Sequence, residues 1–90
     1  MTRSLENTVR RVLASHLARS LESVQPAHRL RRDLGLLPFD LVLVAQRLEE
    51  LEELHIPEAL LPSARTVAEL TKLLRSCAEE RSVGPSHDSG

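Results

Sequence analysis

The stretch Asp33-Leu34-Gly35-Leu36-Leu37-Pro38-Phe39-Asp40, continued by Leu41-Val42-Leu43-Val44-Ala45, decides how this chain folds. Gly35 supplies backbone freedom for a tight turn, and Pro38 suits the first position of a helix, where its missing N–H costs nothing. Asp40 in the first turn complements the positive end of the helix dipole. Loop therefore gives way to helix near Pro38, and the helix runs on through Leu41, Val44, Ala45, Leu48 and Leu51. Glu49, Glu50, Glu52 and Glu53 charge its C-terminal half as a solvated face, and Pro57 ends its register.

Towards the N-terminus, Leu5, Val9, Val12, Leu13, Leu17 and Leu21 recur at spacings of three or four with Arg10, Arg11 and Arg19 between them, an amphipathic helix. Residues 23–32 break that period with Pro26 and a basic cluster, so they read as a long loop that reaches the core through Val24 and Leu30. Towards the C-terminus, Glu58 to Leu61 leaves room for a short third helix before Pro62. Thr66 followed three residues later by Glu69 reads as a capping box, after which Val67, Leu70, Leu73, Leu74 and Cys77 line one face of a last helix. The domain spans residues 3–80, and the polar 81–90 segment with its Gly and Pro is expected to be a disordered tail.

Composition agrees with an all-α fold. Ninety residues make one domain, with 41% hydrophobic and 28% charged residues, well away from the composition of disorder. Eighteen leucines face seven valines, one isoleucine and one Phe, a mix that favours helices over strands. A formal charge of −1 gives no global field towards nucleic acid or an anionic membrane. The charge is uneven all the same, +4 over residues 1–35 and −5 over residues 36–80. A lone Cys77 excludes an internal disulfide, and no apolar run approaches the roughly 18 residues of a membrane helix. A soluble, cytoplasmic protein is the expectation.

Little in the chain argues for catalysis. His16, His28, His55 and His87 lie too far apart in sequence for a metal-ligand spacing, so no metal site is expected, and His16 reads as a boundary residue of the first helix. Cys77 reads as a small buried thiol. No nucleophile elbow, phosphate loop or Ser-His-Asp pattern is present, and no enzyme activity is expected. Arg29, Arg31 and Arg32 could grip phosphates, but beside the acidic second half they read as solvated surface, without nucleic acid as a partner.

With Asp33-Leu34-Gly35-Leu36 in place, the chain resembles the acyl carrier protein family, whose members read DLGLDSL at this turn. Val9-Arg10-Arg11-Val12-Leu13, Val24, Pro26, Ala45 to Glu50, Ile56-Pro57 and Thr66-Val67 up to Leu70 extend the resemblance over about residues 3–75. It implies a four-helix bundle with a long first loop and a short third helix. It also implies a serine at the start of the second helix that carries 4′-phosphopantetheine, and acids there that face basic patches on partner enzymes. Here the serine position is Pro38, which has no hydroxyl, and the acid before it is Leu37. Ser20, Ser23 and Ser63 do not occupy a helix start after an Asp, so no cofactor is expected. Asp40 remains of the acids, whereas a family glutamate position is Leu43.

The expected protein is therefore a carrier-like bundle without its arm, docking a protein partner through Leu36, Leu37, Phe39, Asp40 and Leu43. A synthase or acyltransferase-type enzyme of fatty-acid, polyketide or peptide synthesis is the implied kind of partner, and the oligomeric state is left open. The alternative is a carrier of acyl or aminoacyl groups modified at another residue, or one that holds acyl chains noncovalently in its leucine-lined core.

Overall fold

In the computed structural model, the backbone is described for residues 4–88 and the side chains for residues 4–79. The described residues form an all-α arrangement: α1 (Leu5–Leu17), α2 (Pro38–Glu52) and α3 (Val67–Asp88), with two 3₁₀ helices at Leu21–Ser23 and Glu58–Ser63. α1 packs against both α2 and α3, and the second 3₁₀ helix packs against both of them as well.

Ser4 starts α1 by accepting the Asn7 N–H at 3.3 Å. The face carrying Val9, Val12 and Leu13 is buried as its period requires. The helix stops where Ala18 turns left-handed at φ 56°, which lets the Arg19 N–H reach the Ala14 carbonyl at 2.9 Å. Arg10 then ties down the incoming loop: its Nε donates to the Val24 carbonyl at 2.6 Å and its Nη2 to the Leu21 carbonyl at 3.2 Å. Val24 is thereby seated in the core.

The long loop and the start of α3 satisfy one another. The first four N–H groups of a helix have no intrahelical acceptor. Here Val67 donates to the His28 carbonyl at 3.0 Å, Ala68 to the Pro26 carbonyl at 2.9 Å, and Glu69 to Thr66 Oγ1 at 3.1 Å. Leu30 N–H returns a bond to the Arg65 carbonyl at 2.8 Å, which completes an isolated antiparallel bridge between Arg29 and Thr66. The expected Thr66–Glu69 pairing forms in a shifted version, since the Glu69 carboxylate accepts from Arg65 N–H at 2.7 Å. Asp33 closes the loop on itself by accepting the Arg29 N–H at 2.7 Å, and Gly35 takes φ 72°.

The core draws on the three α-helices and the long loop: Leu13 and Val9 from α1, Val24 from the loop, Leu48 and Val44 from α2, and Leu70, Leu74 and Val67 from α3 are all but sealed from water. Each large side chain so buried contributes about 1.5–3 kcal/mol. The short third helix is a 3₁₀ helix that continues through Pro62, because the φ that proline imposes is also the 3₁₀ value. Leu51 departs from expectation and lies 45% exposed. The backbone of α3 is helical as far as Asp88, and the side chains of the segment expected to be a tail lie outside the described residues.

Candidate functional site

Pro38 is the first residue of α2, as its fixed φ favours, and Leu37 precedes it in extended conformation at the N-cap. Leucine has no acceptor to offer the helix start. Only the returning half of a capping box forms, with Asp40 Oδ2 accepting the Leu37 N–H at 3.0 Å. The other carboxylate oxygen, Oδ1, accepts from His16 Nε2 at 3.1 Å, which links α1 to the start of α2. The Leu37 N–H, followed by the His16 side chain, holds the Asp40 carboxyl below the ordinary carboxylate value. His16, read from sequence as a boundary residue, is thus the cross-helix partner of Asp40. Its i, i+24 separation left no periodic signal for this pairing.

The candidate docking residues do not form a single surface. Leu36 is 3% exposed and belongs to the core, which corrects its place among them. Its N–H bonds the Leu30 carbonyl at 2.9 Å, and Leu34 and Leu36, on either side of the left-handed Gly35, are both buried while Leu37 is exposed. Leu37 (58%), Phe39 (70%) and Leu43 (39%) are exposed. Phe39 and Leu43, four residues apart, share a stripe of α2 turned away from the buried Val44, Ala45 and Leu48.

Two depressions flank α2. Leu43 borders a crevice of about 480 Å³ between α1 and α2, together with Arg11, His16, Arg47, Glu50 and Leu51. Leu37 and Pro38 border a groove of about 540 Å³ between α2 and the second 3₁₀ helix. Its lining includes Leu30, Leu36, Leu41, Val42 and Leu61, so the floor is apolar. Arg29, Arg31, Arg32 and Arg65 stand around it, accompanied by a single acid, Glu58. Arg65 was not legible in sequence as part of the basic cluster. The bridge between Arg29 and Thr66 brings it there.

The remaining candidates have local roles. His28 Nδ1 accepts the Gln25 N–H at 3.0 Å, and His55 lies 3.4 Å from Glu49. The side chain of His87 falls outside the described side chains. No group of three metal-ligating side chains occurs among the described residues, and no described helix is long and apolar enough to cross a membrane. Cys77 is buried. The Ser23 and Ser63 hydroxyls donate to the carbonyls of Ser20 and Leu60, each inside its own 3₁₀ turn. No protein-family model matches the chain, and no curated protein matches it.

Proposed function

We propose that the chain is an acyl-carrier-protein-like domain that takes no 4′-phosphopantetheine at the family position and serves as a protein-binding module. The observation that carries this reading is the start of α2: Pro38, without a hydroxyl, begins the helix, and Leu37, Phe39 and Leu43 project around it into solvent. The order of elements supports the family reading, with a long loop between α1 and α2 and a short helix before α3. Leu37 strengthens the docking reading through its cost. An exposed leucine at an N-cap forgoes about 1 kcal/mol that Ser, Thr, Asp or Asn would supply, and adds no core packing. A position that gives up stability in this way is where a binding role belongs. The partner is a synthase or acyltransferase-type enzyme in fatty-acid, polyketide or peptide synthesis.

Intact-protein mass after incubation with coenzyme A and a broad-specificity phosphopantetheinyl transferase tests the loss of the arm. The wild type is expected to stay unmodified while Leu37→Asp/Pro38→Ser gains the phosphopantetheine mass. Conversion of the wild type would overturn the reading and restore a carrier function. Docking is tested by Phe39→Asp, which is expected to abolish binding to a synthase-type partner with an unchanged helical circular dichroism spectrum.

A further inference from the structure

The groove beside α2 and the far end of the same helix have opposite characters. Around the groove, none of the four guanidinium groups of Arg29, Arg31, Arg32 and Arg65 has a hydrogen-bond or ion-pair partner among the described residues. Four cations over an apolar floor, against the one carboxylate of Glu58, suit an acidic segment that also carries an apolar side chain.

The C-terminal end of α2 is such a segment. Glu49 is engaged with the Ile56 N–H at 2.7 Å, but Glu50 and Glu53 are exposed without ion pairs among the described residues, and Leu51 between them is 45% exposed. These carboxylates sit at the negative end of the helix dipole, and the last turn holds no base to offset them. Acids at that end are unfavourable. A cationic surface laid against them would remove that penalty.

The two features do not meet within one molecule. The groove adjoins the first turn of α2, residues 37–42, and the acids close its last turn. Along α2 the eight residue steps from Val42 to Glu50 span about 12 Å, and no ion pair joins the four arginines to Glu50 or Glu53 among the described residues. We propose that the arginine-rimmed groove receives the acidic C-terminal end of α2, with Leu51 at its centre, from a second copy of this chain. The contact is heterologous, so each copy offers both a groove and an acidic end, and association proceeds head to tail. A groove of this size makes a small, transient contact. The inference goes beyond the proposed function and does not depend on the state of Pro38.

Sedimentation of the full chain over a range of concentrations tests it. At about 0.02 M salt the average mass should rise with concentration, and at about 0.5 M salt it should fall back to the monomer value as the charges are screened. Arg31→Glu/Arg32→Glu and Glu50→Arg/Glu53→Arg, all at exposed positions, should each weaken self-association by about tenfold or more. An equimolar mixture of the two variants should restore it, because the intact groove of one variant then meets the intact helix end of the other and the two reversed surfaces face each other. A monomer at every concentration in low salt, or association that ignores both reversals, would overturn the proposal. So would native mass spectrometry showing a monomer whose groove is filled by a co-purifying lipid, with loading lost in Arg31→Glu/Arg32→Glu. A wild type that self-associates and also accepts phosphopantetheine would keep this inference and sink the preceding reading.

Discussion

Asp40 holds two elements at once: one carboxylate oxygen takes the Leu37 N–H at 3.0 Å and the other faces His16 Nε2 at 3.1 Å. Both contacts favour the ionised form, and the carboxyl titrates below its ordinary value. Its stabilisation is therefore complete above the unfolded pKa of about 3.9 and is lost as pH falls through the lower folded value. Asp40→Asn is expected to be less stable than wild type at neutral pH, with the gap closing below about pH 4. Urea midpoints across that range check it, and a gap that persisted at the acid end would contradict the assignment. Because the Leu37 N–H is the larger cause, the carboxyl in His16→Ala should still titrate below the ordinary value when followed by NMR.

Leu37 is the N-cap without a capping side chain. Leu37→Asp should raise unfolding stability by about 1 kcal/mol, read from the urea midpoint at unchanged slope. The same variant should bind a protein partner more weakly, because it removes one of the exposed apolar side chains at the helix start. Loss of stability instead would mean that Leu37 packs more than its exposure indicates.

Left-handed backbone at a non-glycine residue costs about 1–2 kcal/mol. Ala18, exposed at φ 56°, carries that strain at the end of α1, so Ala18→Gly should stabilise by about 0.5–1 kcal/mol after the added freedom of the unfolded chain is counted. Gly35 is the reverse case. A Cβ built at φ 72° there meets no atom within 4 Å, so Gly35→Ala should lose about 1 kcal/mol from backbone conformation alone. Thermal or urea unfolding of the two variants should move in opposite directions.

Arg10 is the hinge pin of the long loop, through bonds to the Leu21 and Val24 carbonyls. Arg10→Met keeps most of the aliphatic stem and removes both donors, and should cost about 2 kcal/mol. Amide exchange should quicken in residues 21–30 more than in α3, since the loop loses its attachment before the helices lose theirs.

The helices were legible in the sequence because their determinants are local. Spacings of three and four placed α1, Pro38 placed the start of α2, and Thr66 placed the start of α3, each a matter of residues within one or two turns of one another. Val24 and Leu30 were legible as core because apolar residues in a polar loop have few other places to go. Leu37, Phe39 and Leu43 were singled out by the resemblance at the start of the second helix, and their exposure is read from the structure.

What only the tertiary structure decided depends on contacts between residues distant in the chain. Leu36 and Leu37 are adjacent and identical in type, yet one is core and one is surface, because the turn closed at Gly35 brings the Leu36 N–H onto the Leu30 carbonyl and leaves Leu37 at the helix start. His16 became the partner of Asp40, and Arg65 joined Arg29, Arg31 and Arg32, only once α1 crossed α2 and the loop paired with the start of α3. Local propensity sets which residues turn into helix, through torsions and hydrogen bonds a few residues long. The groove, its cationic rim and the split of the apolar patch are properties of how those helices are laid together, and no short-range pattern encodes them.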